Sequence, residues 1–314
     1  MHILVPEHFH LKDAAISDVA NTIFRTPYQI NPQTKRTYLL LWKQFSDWTA
    51  TRGLHFISEV SADVVKAYAF ELIQKVNAGE IGSHTAQNKV ASINSMMEAV
   101  YYAVHDRQWE SISAKALGLR PRSDKRLSPP DTLKRNVYES RLEALRSSSR
   151  PHEIAVFQIS REFGFTCTEA SFFDARASWP SVQKWFPAGI LCTVAAWDGK
   201  KWSRRRHAPV TTSEQYLAVQ FAAQAQGKRK QLMDDGKSVN DWREIDLRAA
   251  TTIMGGFHEM RAAFACERFH AIAGYQAPCA GGIAPDKTED INHRKLLAKE
   301  MGLREYESLI NHIG

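Results

Sequence analysis

The sequence predicts a mainly α-helical fold with a small β-sheet, divided into two domains. Three observations carry this. Apolar residues recur at spacings of three and four in several separated stretches, the stripe of amphipathic helices. One short apolar run with β-branched residues, Gly189 to Trp197, leads into Asp198-Gly199 and a second extended run after Arg206, which is the signature of a hairpin. Finally, 314 residues exceed what one core usually organises, and a basic, proline-rich stretch over 119–136 supplies the boundary.

Residues 1–30 mix apolar and polar side chains without a sustained period and are expected to form an N-terminal arm. The prolines of Thr26-Pro-Tyr-Gln-Ile-Asn-Pro32 then signal a helix start. A helical domain follows over 31–118. Its first helix places Tyr38, Leu41, Trp42, Phe45 and Trp48 on one stripe, while Thr34, Lys35, Arg36 and Lys43 lie mostly off it and are free to meet solvent or phosphate. Gly53 ends that helix. Ser61 caps the next, with Val64, Val65, Tyr68 and Leu72 turned inward. A third runs from the Gly82-Ser83 start to about Val104 and buries Val90, Ile93, Met97, Val100 and Tyr101. Its exposed His84, Gln87, Asn88 and Lys89 are of the types that contact base edges and phosphates, the alternative being a solvated polar face. A further short helix is expected over Ser111–Leu117.

The stretch 119–136 carries three prolines and six Lys or Arg against two Asp, which suits a connector lying on a phosphate backbone or in solvent. Beyond it, the second domain, 137–314, opens with helices over Tyr138–Leu145 and Pro151–Phe163 and a turn at Gly164. The hairpin tip holds Lys200, Lys201, Arg204, Arg205 and Arg206, either a phosphate grip or a solvated tip. Helices are expected from Ser213 to Gln231, Asp246 to Thr252, across His258 to Ile272, and from Asp290 to the end. In the third of these, His258 and Arg261 stand three residues apart, so that one helix face offers both an imidazole and a guanidinium to a phosphate.

A composition of 44% hydrophobic and 24% charged residues is that of a soluble globular protein. No run approaches the ~20 apolar residues of a membrane span, and Met1-His-Ile-Leu-Val-Pro lacks the form of a signal segment, so a cytoplasmic location is expected. Cys167, Cys192, Cys266 and Cys279 form no C-x-x-C pair and are expected to be buried thiols. A net charge of +7 favours a polyanionic partner. Nucleotide-loop, zincin and nucleophile-elbow motifs are absent, and His10, His105, His207, His270 and His293 have no partner at metal-ligand spacing, so neither metal nor cofactor is expected.

The residues around His258 carry a family resemblance. His258-Glu-Met-Arg261 is similar to the H-x-L-R signature of the tyrosine recombinases of the phage-integrase superfamily, particularly the prophage and integrative-element integrases of proteobacteria. Ala263-Phe-Ala-Cys-Glu-Arg-Phe269, Gly274-Tyr-Gln-Ala-Pro278 and Gly281-Gly282 continue the pattern, and Glu300-Met-Gly-Leu303 resembles the family's E-L-G-H turn. Thr34, Tyr38, Phe45, Trp48 and the Ser83-His-Thr85 start look like its SAM-like helical core-binding domain. The resemblance implies that domain followed by an α+β catalytic-type domain, with double-stranded DNA as partner.

In that family a tyrosine attacks a DNA phosphodiester, while arginines, a hairpin lysine and His or Trp donors stabilise the transition state. Carried over by position, the resemblance implies the hairpin lysine at Lys201 or Lys200, and the second histidine and arginine at His258 and Arg261. The family's first arginine falls on Thr166, its G-H histidine on Leu303 and its nucleophile on His312. With these three replaced, no catalytic set is intact, and the expectation is a DNA-binding factor of a mobile element or plasmid, working as a homo-oligomer or beside an active recombinase. Two rival readings are a recombinase with Tyr306 or His312 as nucleophile, and an interaction module that no longer binds DNA.

Overall fold

Trp42 and Phe45 set the first half of the chain: they are 1% and 0% exposed, and the helices assemble around them. The computed structural model describes residues 11–25, 32–105, 108–113, 118, 125–148, 150–197 and 206–314. Two units result, Met1–Ser123 and Asp124–Gly314. The first holds α1 (Ile16–Arg25), α2 (Pro32–Ala50), α3 (Ala62–Asn77) and α4 (Ser83–His105). Trp42 donates its indole N–H to the Ile16 carbonyl at 2.6 Å, and Phe45 meets the Tyr68 ring edge-on at 5.2 Å. Ser61 accepts from Val64 N, as its capping position requires.

Two expectations change in this unit. Within the segment expected to be an arm, α1 joins the core through Ile16, Val19, Ala20 and Ile23, an i, i+3, i+4, i+7 set. Ser111–Ser113 are not helical, because the Asn94 amide grips the main chain there. It donates to Ile112 O at 2.8 Å and accepts from Ile112 N at 3.0 Å and the Trp109 indole at 3.1 Å. Residues 114–117 of that expected helix, and the Thr26–Asn31 start signal, lie outside the described residues.

The second unit is built on α6 (Pro151–Phe163), whose Ile154, Ala155, Val156, Phe157, Ile159 and Phe163 are buried. Apolar on almost every side, such a helix belongs at the centre of a core. Around it stand α5 (Arg135–Arg146), α7 (Cys167–Ser171), α8 (Ala175–Trp185), α9 (Ser213–Gln226), α10 (Val239–Asp241) with a π-helical turn Trp242–Asp246, α11 (Arg248–Met254), α12 (Phe257–Ala273), α13 (Lys287–Glu300) and α14 (Ile310–Ile313). The sheet is one antiparallel hairpin, β1 (Cys192–Ala196) and β2 (Arg206–Val210), registered from Cys192 opposite Val210 to Ala196 opposite Arg206.

Differences from expectation have local causes. The connector is part of this unit from residue 125 onward: Arg126 N donates to Ile310 O at 2.9 Å, and fully buried Thr132 offers its carbonyl to the Arg161 guanidinium. Asp174 caps the unanticipated α8 by accepting from Ala177 N. Gly227 stops α9 short of Gln231. The helix expected from Asp290 onward breaks at Met301–Glu305, where Gly302 adopts φ 68 and Leu303 N turns back to Ala298 O at 2.9 Å.

Gly164 ends α6 at φ 61, a conformation that penalises any Cβ, and a Cβ there would lie 2.3 Å from the Phe264 ring. Gly164→Ala is expected to destabilise the protein by about 2–5 kcal/mol, combining left-handed strain with overpacking; urea unfolding measures it.

Candidate functional site

Two helices end close together in the second unit, and their terminal carbonyls lack intrahelical partners. These are Gly164 after α6 and Glu300 and Met301 at the end of α13. Two guanidiniums satisfy them. Arg261, from the first turns of α12 and 8% exposed, donates Nη1 to Gly164 O and Nη2 to Met301 O, the latter at 2.7 Å. Arg206, the first residue of β2, donates Nη2 to Gly164 O at 3.2 Å and Nη1 to Glu300 O.

Glu169 lies between them. Its carboxylate takes Arg206 Nε at 2.7 Å and Nη2 at 3.2 Å, and approaches Arg261 Nη1 at 3.5 Å. Burial opposes ionisation of Glu169, but the hydrogen bonds and charge of Arg206 outweigh it and hold the carboxyl below its ordinary value. Burial, and then the like charge of Arg206, lower Arg261 to about 10, so it remains a cation at neutral pH. The Arg206 stem passes so close to Gly302 that a Cβ there would lie 2.5 Å from Arg206 Cδ.

Thr166 and Glu169 cap α7 reciprocally, Thr166 Oγ1 accepting from Glu169 N at 3.1 Å and Glu169 Oε2 from Thr166 N at 2.8 Å. Position 166 thus serves the helix start. Leu303 is half-buried beside the core of α12 and α13.

His258 and Arg261 do not present a shared free face. Arg261 turns inward, whereas His258 stays exposed and hydrogen-bonds to the Asn311 main chain. Desolvation and the charge of Arg126 lower the His258 pKa. Arg126 itself pairs with Glu259 at 2.5 Å. The His312 ring sits 5.0 Å from that of His258, centre to centre, and is only 7% exposed, with Nδ1 buried and unbonded. Burial first, then Arg261 and His258, push His312 down to about 3, so the imidazole is neutral. Tyr306 opens the 3-10 turn Tyr306–Leu309, and a hydrogen bond with Glu307 raises its phenol pKa, opposing phenolate formation.

The remaining predicted DNA contacts divide by unit. On α2, Thr34 and Arg36 are exposed and Lys35 half-buried; on α4, His84 and Asn88 are exposed and hydrogen-bonded to each other at 3.1 Å, with Gln87 half-buried. Lys89 is also half-buried and lines a ~310 Å³ groove with Trp48, Glu71 and Lys75; desolvation, then Lys75, lower its pKa. Lys200, Lys201, Arg204 and Arg205 lie outside the described residues. Arg206, expected at the hairpin tip with them, instead belongs to the inward cluster: its place opposite Ala196 ties it to the sheet end. Among the described residues no group of three or more His, Cys, Asp or Glu could hold a metal, and no helix is long and apolar enough to cross a membrane.

Two expectations test this electrostatic arrangement. Glu169→Gln leaves two near-buried guanidiniums without their carboxylate and is expected to cost about 3–5 kcal/mol in denaturant unfolding. For His312, between an unfolded value of 6.5 and a folded value of about 3, only the unfolded chain binds the proton. Stability therefore falls as pH drops below 6.5, by up to about 1.4 kcal/mol per unit, and His312→Leu is expected to flatten that slope in unfolding curves taken from pH 7 to 4.

No family model matches the sequence, and no curated protein matches it. Solved structures do. XerH site-specific recombinase bound to palindromic difH substrate is 12% identical, with TM-score 0.56 over 94% of this chain and 79% of its own. The Tn1549 transposon integrase in complex with transposon right end DNA is 13% identical, with TM-score 0.55 over 96% and 95%. A lambda integrase dimer bound to a COC' core site is 12% identical, with TM-score 0.54 over 96% and 78%. The chain has the fold of the tyrosine recombinases.

Proposed function

We propose that this protein binds double-stranded DNA as a tyrosine-recombinase-like factor without strand-cleavage activity, in an accessory, architectural or regulatory role for a mobile element or plasmid. One observation carries the reading. Within a recombinase fold, Arg206 and Arg261 direct their donors at Glu169 and at helix-end carbonyls, while Thr166, Leu303 and buried His312 stand where the resemblance implies an arginine, a histidine and a nucleophile. A missing transition-state donor costs about 2.7–4 kcal/mol each in such chemistry. Binding relies on cations elsewhere: the hairpin tip, the exposed starts of α2 and α4, and the overall charge of +7. Partners are a second copy of the chain or an active recombinase.

A recombinase using His312 is the second reading, favoured by its neutral ring with an unbonded nitrogen. A nicked suicide DNA substrate separates the two. No covalent protein–DNA adduct is expected; an acid-labile adduct lost in His312→Ala establishes the second reading, and an acid-stable one lost in Tyr306→Phe points to Tyr306. In mobility-shift titrations log K is expected to fall linearly with log salt. Changing Lys200, Lys201, Arg204 and Arg205 to Gln is expected to reduce the slope by about 0.9 for each phosphate contact removed. An absence of binding leaves the interaction-module reading.

A further inference from the structure

The cysteine pair at the far end of α12 has no part in the reading above. Cys266 lies on α12 and Cys279 in the 3-10 turn Pro278–Ala280; they are 2% and 8% exposed, and their sulfurs touch at 3.6 Å. Both sulfurs face one acceptor, the His312 carbonyl, at 3.7 Å from Cys266 and 4.0 Å from Cys279. Gly314 packs on the same turn: a Cβ at 314 would lie 3.0 Å from Cys279 N and 3.1 Å from its Cβ. The other cysteines, Cys167 on α7 and Cys192 in β1, belong to other elements.

We propose that Cys266 and Cys279 are a reversible disulfide site that takes a peroxide as oxidant and whose state is felt by the turn His312–Gly314. A bonded pair needs its sulfurs about 2 Å apart, and these two already touch at 3.6 Å. Cys279 is the attacking member: its contact with Cys266 holds its pKa below the ordinary thiol value, whereas the same contact and burial raise that of Cys266. The Cys279 thiolate attacks a peroxide oxygen, breaking the O–O bond to give a sulfenic acid and hydroxide, which becomes water by taking up the proton that the Cys279 thiol released. Cys266 then attacks that sulfur, the S–S bond forms, and a second water leaves with the Cys266 proton. In sum two thiols and one hydrogen peroxide become one disulfide and two waters. Oxidation also leaves neither sulfur able to donate to the His312 carbonyl, which loosens the turn. The turn covers the pair, so oxidant enters when it opens locally.

Peptide mapping can read this directly, because trypsin leaves the four cysteines on separate peptides: Glu162–Arg176, Trp185–Lys200, Ala262–Arg268 and Phe269–Lys287. The full chain is treated with a small excess of hydrogen peroxide, quenched with N-ethylmaleimide in denaturant and digested without reductant. Expected is a cross-link between Ala262–Arg268 and Phe269–Lys287, two hydrogens lighter than the sum of its parts. It is reversed by dithiothreitol and lost in Cys266→Ser and in Cys279→Ala, while the Cys167 and Cys192 peptides remain alkylated. Alkylation of all four cysteines, or sulfinic acid on Cys279 alone, overturns the proposal. Hydrogen exchange supplies the second arm: amides of Ile313 and Gly314 are expected to exchange faster in the oxidised chain. A cross-link with unchanged exchange there overturns the coupling to the turn.

Discussion

The second unit depends on one carboxylate held between two guanidiniums. Glu169 joins Arg206 and Arg261, and through them the start of β2, the capped end of α7, the first turns of α12 and the turn that closes α13. Two positive charges against one negative is an uneven account until the helix termini are included. Gly164 and Glu300 sit at the negative ends of α6 and α13, each worth about half a charge, and the arginines donate to both. The cluster is therefore close to neutral as a whole, which is why two arginines at 8% and 11% exposure are tolerable so far from bulk water.

That balance ties Arg261 to the fold of the unit independently of any chemistry. Removing Arg261 takes the donor from the Met301 carbonyl and leaves Gly164 O with Arg206 alone, a cost that falls on folding. A residue pattern that looks catalytic can persist for this reason alone.

Long, strongly periodic helices were legible in the sequence: α2 with Trp42 and Phe45, α3 after Ser61, α6 up to Gly164, and α12 from His258 all follow from spacing and caps. The hairpin followed from β-branched residues before Asp198-Gly199. What was missed depended on distant partners. Nothing near Ser111 announces that Asn94 will hold Ile112, and α1 keeps its apolar face because α2 supplies a partner for it. Arg206 reads as one more cation in a basic run, since only the strand register, Ala196 opposite Arg206, reveals that it faces the body of the unit. The arrangement of His258 and Arg261 was half legible: helical spacing put them near each other, but the carbonyls that draw Arg261 inward come from segments about forty and a hundred residues away.

The contact between the Arg206 stem and Gly302 reaches beyond stability into how this chain can vary. A side chain at 302 collides with Cδ of Arg206, so the glycine is kept by a residue of β2 as much as by its own turn. Shortening 206 would vacate that space while taking from Glu169 its two-pronged partner, and enlarging 302 first would push the guanidinium off its acceptors. Neither step is neutral alone, so a sequence that changes both positions one at a time passes through a less stable intermediate.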